Sequence, residues 1–126
     1  MAQYALLVYD TEAAWDAVTE EQRETATAAY DAFERRHRSV IRSGAEFAPA
    51  ASANTLRGSH TDGLGEVRVT TGTFPEESPF DSAVLGGFYV IEVDTLEQAL
   101  ALARQLPVLE GGVEVRPVIE RAEGIG

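Results

Sequence analysis

The sequence predicts an α+β fold: a ferredoxin-like antiparallel sheet with two helices on one face. Three observations carry this. Residues 4–9 and 86–93 are apolar at nearly every position, as strands in the middle of a sheet are. Two amphipathic stretches each follow a helix-start signal. The pieces alternate as strand, helix, strand, inserted hairpin, strand, helix, strand, with no linker or repeat to divide residues 1–126 into more than one domain.

Residues 4–9 read Tyr-Ala-Leu-Leu-Val-Tyr, a strand apolar on both faces. Residues 10–18 read as a polar connection carrying Trp15. Thr19-Glu20-Glu21-Gln22 has capping-box spacing, in which Thr19 accepts from the third backbone N–H and Gln22 reaches back. Beyond it Ala26, Ala29, Tyr30, Phe33, His37, Val40 and Ile41 share one stripe. The stripe predicts a helix of about six turns, closed by Gly44 as a left-handed terminator. Residues 45–48 form a strand stub. Residues 53–58 and 66–71 read as the arms of a hairpin around a loop rich in turn formers. Residues 73–84 hold Pro75 and Pro79 and read as irregular. The second doubly apolar strand, 86–93, ends at Asp94, where Asp94-x-x-Glu97 and Thr95-x-x-Gln98 both fit a helix start. Leu96, Ala99, Leu100, Ala103 and Leu106 make that helix's apolar stripe, and Pro107 stops it. Residues 113–119 form the last strand, where Pro117 implies an N–H that no neighbour needs.

Two helices cover only one face of such a sheet, yet both central strands are apolar on the other. In a chain this short the economical cover is a second copy, sheet against sheet, so a homodimer is expected.

Composition limits the chemistry. The chain has 10 basic residues, all Arg, against 21 acidic ones, for a net charge of −11. That charge repels phosphate backbones at long range, and the cluster Arg35, Arg36, Arg38 and Arg42 reads as a solvated helix end rather than a nucleic-acid patch. The absence of Cys removes thiolate catalysis, disulfides, zinc-thiolate sites and iron–sulfur clusters. The absence of Lys removes Schiff-base chemistry and the phosphate-loop lysine. Only His37 and His60 supply imidazole. Glu34-x-x-His37 has the helical spacing of di-iron sites, but the second helix offers no matching pair, so no metal is expected. No dinucleotide fingerprint or nucleophile elbow occurs, and no cofactor is expected. No apolar run is long enough to span a membrane, the first residues lack a basic signal-peptide region, and a cytoplasmic protein is expected.

The candidate side chains are few. His37, on the helix stripe between Phe33 and Ile41, reads either as a general acid or base at a pocket or as a partly buried histidine satisfied by one hydrogen bond. His60, near Asp62, sits in the hairpin loop and reads as solvent-exposed. Tyr9, Phe88 and Tyr89, on the central strands, line a ligand or fill the core. Arg116 anchors an anion or pairs with Glu92 or Glu114. Thr71, Thr73, Phe74 and Glu76 surround a Gly-containing turn that either frames a pocket mouth or is structural.

The stretch Val69-Thr70-Thr71-Gly72-Thr73-Phe74-Pro75-Glu76, followed by Leu85-Gly86-Gly87-Phe88-Tyr89-Val90-Ile91-Glu92-Val93, resembles the YCII-related proteins of the DGPF subgroup. So do the opening strand with Trp15 before a capped helix, and the ending Gly112-Val113-Glu114-Val115-Arg116-Pro117-Val118. The resemblance implies the dimeric α/β barrel superfamily. The motif that names the subgroup is Asp-Gly-Pro-Phe, and here it reads Thr71-Gly72-Thr73-Phe74, while Glu76 matches the acidic residue after it. The expectation is a homodimer that binds a small organic ligand beside the sheet. It would act as a cofactor-independent acid/base catalyst of isomerase, lyase or cyclase type, with His37 and Glu76 as catalytic groups. The alternatives are a non-catalytic accessory or regulatory partner, and a quinol- or haem-type oxygenase of the same superfamily.

Overall fold

The computed structural model describes residues 1–58, 67–75 and 83–121. The elements run β1 (Ala2–Thr11), α1 (Glu12–Ala17), α2 (Glu20–Arg36), β2 (Ile41–Glu46), β3 (Asn54–Arg57), β4 (Arg68–Thr71), β5 (Ala83–Val93), α3 (Leu96–Ala103) and β6 (Gly112–Pro117). Four strands form an antiparallel sheet in the order β2-β5-β1-β6, and β3 and β4 pair separately as a hairpin. The two doubly apolar segments are the two central strands, and Pro117 lies on the edge strand β6. This is the ferredoxin-like α+β arrangement. None of the described helices is long and apolar enough to cross a membrane.

Both long helices start on complete capping boxes. In α2 the Gln22 N–H donates to Thr19 Oγ1 at 3.1 Å and the Thr19 N–H donates to Gln22 Oε1 at 2.9 Å. In α3 Thr95 and Gln98 do the same. Leu6 and Val8 of β1 and Ile91 and Val93 of β5 face the helices and pack with Phe33, Ala99, Leu102, Ala103 and Leu106. Leu6 and Ile91 are fully buried and Phe33 is 1 % exposed, so these three side chains form the centre of the core.

Four local expectations change. The helix ends at Arg36, and His37 is its C-cap, so α2 is 17 residues and not six turns. The chain turns over residues 37–40, with Val40 N–H and Ile41 N–H both donating to the His37 carbonyl. Gly44 terminates nothing: it lies in β2 opposite Tyr89, where a Cβ would come within 2.9 Å of the Tyr89 ring. The connection after β1 folds as a short helix, α1, capped by Thr11 Oγ1 accepting from Ala14 N–H. Ile119 lies beyond the last strand and is exposed.

A β-bulge between Val8 and Tyr9 sets which residues share a face. On the helix face β1 presents Tyr4, Leu6, Val8 and Asp10. The opposite face carries Ala5, Leu7 and Tyr9 of β1, with Val90, Phe88 and Leu85 directly across on β5.

The loop between α3 and β6 is drawn against the end of β1. A Cβ at Gly111 would overlap the Tyr9 carbonyl oxygen, a backbone atom that cannot swing aside. Gly111→Ala is therefore expected to lose about 3 kcal/mol, read as a lowered denaturant midpoint with an unchanged slope in urea melts.

Candidate functional site

A cavity of about 750 Å³ lies between α2 and the sheet, closed at one end by α1. Its helix wall is Arg23, Ala26, Thr27, Tyr30, Asp31 and Glu34. Its sheet wall is Val8, Ile41, Gly44, Glu46 and Tyr89, with Phe47 and Phe88 at the β2 edge, their ring centres 5.9 Å apart. The end wall holds Asp10, Trp15 and Asp16. The volume suits a drug-sized or metabolite-sized molecule, and the mixture of aromatic rings and a few polar groups is that of ligand pockets generally.

The end wall is organised by Asp10, 8 % exposed at the close of β1. Its Oδ2 accepts from the Trp15 indole N–H and from Leu109 N–H, both at 2.7 Å. Its Oδ1 accepts from Glu110 N–H at 2.8 Å and from Thr11 N–H at 2.9 Å. Burial alone raises the carboxyl pKa. The bonds from Leu109, Glu110, Thr11 and Trp15 together outweigh that and hold it below the ordinary carboxylate value. Asp10 is thus an ionised anchor with every bond spent, not a proton carrier.

The tyrosines differ in how they are used. Tyr30 donates its hydroxyl to the Pro107 carbonyl at 2.8 Å, pinning α2 to the loop after α3. Burial, then the charges of Asp10 and Glu46, push its pKa up to about 12. Tyr89 packs its ring 5.2 Å from Phe33, and its hydroxyl bonds to no described residue. Burial, then Glu34, Tyr30, Asp31 and Glu46, push it up to about 12 as well. Both phenols stay protonated at neutral pH.

Of the sequence-predicted residues, Tyr89 faces the cavity from the sheet, and Phe88 borders it only at the sheet edge, its side chain on the opposite face. The others lie elsewhere. His37 faces away from it: Nε2 is 2.8 Å from Gln105 Oε1 and the ring is 5.0 Å from Phe33, so the imidazole joins the end of α2 to the end of α3. Tyr9 is on the opposite face of the sheet, across from Leu85. Arg116 is exposed on β6 and pairs with Glu114, two residues back on the same strand. Glu76 and His60 lie outside the described residues.

Thr71, Thr73 and Phe74 form a clasped turn at the hairpin end. Gly72 has φ +101°, a conformation that favours glycine and explains its presence in the motif. Its N–H donates to the Ala53 carbonyl and its carbonyl accepts from Thr55 Oγ1, both at 2.7 Å. Arg57 donates to the carbonyls of Thr73 and Phe74 and stacks 5.0 Å from the Phe74 ring centre. Sequence reasoning missed Asp10 and Arg57. The only local signals were an Asp closing an apolar strand and an Arg on a hairpin arm.

Asp10→Asn places an amide N–H₂ against two N–H donors whichever way the amide is turned. The expected cost is about 3 kcal/mol. Because the folded pKa of Asp10 lies below the unfolded value, its contribution is present above about pH 4 and is lost as pH falls through the folded value. Wild type should therefore lose stability on acidification below about pH 4 more steeply than Asp10→Asn, as measured by urea melts across the pH range.

A family model for the YCII-related domain matches residues 2–122. The chain is 33 % identical over 120 residues to an uncharacterized protein, R00369, of Rhizobium meliloti (strain 1021), spanning 91 % of this chain and 90 % of that one. With the sheet order and the opening, motif and closing strands all in place, the chain belongs to the YCII-related family.

Proposed function

We propose that this protein binds a small organic molecule in the cavity between α2 and the sheet, as one half of a homodimer. The observation that carries the reading is the cavity itself, about 750 Å³ and bordered by Trp15, Tyr30 and Tyr89. It is preformed, because the Asp10 bonds fix its end wall and the Tyr30–Pro107 bond fixes α2. An acid/base reaction in it would draw on Asp31, Glu34 or Glu46 rather than on His37, which is engaged with Gln105 outside it. Trp15 is the chain's one tryptophan, so its fluorescence reports on occupancy. A fragment screen read by Trp15 emission should yield binders that Ala26→Phe, which fills the cavity from the α2 side, abolishes while the circular dichroism stays native. Fragments that bind the filled variant equally well would refute the site.

The second copy belongs on the open face of the sheet. Ala5, Leu7, Phe88 and Val90 form its apolar centre. The Arg42–Glu92 pair at 2.8 Å and the Glu114–Arg116 pair flank it, and the Arg42 bond holds Glu92 below the ordinary carboxylate value. At a net charge of −11 two copies repel. This face carries its charges as Arg–Glu pairs, the kind of apolar centre with a polar rim on which an isologous contact can form. Leu7→Glu should convert a species of twice the chain mass into monomer in sedimentation velocity. A wild-type monomer at micromolar concentration would overturn the dimer.

A further inference from the structure

The charges around the cavity narrow its ligand further than its volume does, on the footing that the cavity binds a small molecule as proposed. Asp31 and Glu34 are three residues apart on α2 and so share a side of the helix. Glu46 lies on the opposing β2. None of these three carboxylates makes a hydrogen bond or ion pair with any described residue. All three are exposed, and of the two cations of the lining only Arg42 is paired with a carboxylate, while Arg23 keeps its charge. Arg23 donates to the Trp15 carbonyl at 2.7 Å, and Arg42 donates to Glu92 and to the Ser39 carbonyl. The lining also carries the phenol rings of Tyr30, on the helix side, and Tyr89, on the sheet side, whose pKa values are raised first by burial and then by neighbouring groups that include the carboxylates. Acidic side chains alone define no site. Here they border a space large enough for an organic molecule, beside aromatic rings that keep their electron-rich faces at neutral pH.

We propose that the cavity takes an organic cation, an ammonium or guanidinium group on an apolar body, with the charge set among Asp31, Glu34 and Glu46 and the body against Tyr30 and Tyr89. Coulomb attraction steers such a ligand in and repels carboxylates and phosphates. The neighbouring rings add cation–π attraction that a neutral isostere does not receive.

A matched set of probes separates this from mere binding: 2-phenylethylammonium, 2-phenylethanol and phenylacetate share one aromatic body and differ in charge. Titrated against the full chain at pH 7 and read by Trp15 emission and calorimetry, the ammonium should bind about tenfold more tightly than the alcohol. The acetate should bind least. Added salt should weaken the ammonium alone. The double variant Glu34→Gln, Glu46→Gln should weaken the ammonium towards the affinity of the alcohol, and an unchanged ammonium affinity would overturn the assignment of its charge to these carboxylates. Equal or tighter binding of the alcohol or the acetate would overturn the cationic assignment while leaving the binding site standing. If all three probes and the fragment screen fail to move Trp15, both readings fall.

Discussion

The four hydrogen bonds to Asp10 are the contact on which the rest of this molecule is arranged. A carboxylate removed from water is costly unless each oxygen is compensated, and here the bonds come from three separate parts of the chain. Thr11 N–H belongs to the end of β1, Trp15 to α1, and Leu109 and Glu110 to the loop a hundred residues later. One charge therefore holds α1 at the mouth of the sheet, holds the last loop in place for β6, and builds the end wall of the cavity. Gly111 follows because the loop can come this close only without a side chain. The Tyr30 hydroxyl on the Pro107 carbonyl extends the same scaffold to α2.

That scaffold separates two surfaces with different chemistry. On the helix side of the sheet the apolar residues are consumed by Phe33 and α3 over much of their length, and they give way to the acidic, aromatic cavity towards α1. On the other side Ala5, Leu7, Phe88 and Val90 meet no described helix. The alternation of a pleated strand puts these two roles on adjacent residues: Phe88 points one way and Tyr89 the other. A small molecule on one side and a second chain on the other would thus sense each other through the same strand, β5.

Where local pattern decides the structure, the sequence was readable. Both capping boxes depend on side chains three residues apart, and both formed as spaced. The doubly apolar strands are central, and the proline of the last strand is at the edge, because backbone pairing and burial leave few other places for them. The readings that changed involve ambiguity or distance. Val40 and Ile41 extended the helical stripe, yet they pack from a turn and a strand, so periodicity overran the real end at Arg36. Glycine suits a helix terminus and a crowded strand equally, and Gly44 has the second role. α1 is six residues long and buries none of them, too short to show a stripe. Asp10 and the Arg57 clasp work through partners that no local window contains, and His37 fits its second reading, a partly buried histidine with one hydrogen bond, to a partner, Gln105, that no local window could name.

The position of β1 carries a consequence for how the chain is made. It precedes β5 and β6 in the chain, yet it sits between them in the sheet. Until those arrive, a ten-residue strand with an apolar centre has no partner on either edge. Its pairings are thus nearly all long-range, the kind that form slowly and leave strand edges open to other chains in the meantime. A nascent or truncated chain that stops after α3 leaves one edge of β1 unpaired, and it lacks Leu109 and Glu110, the donors that make the charge on Asp10 tolerable.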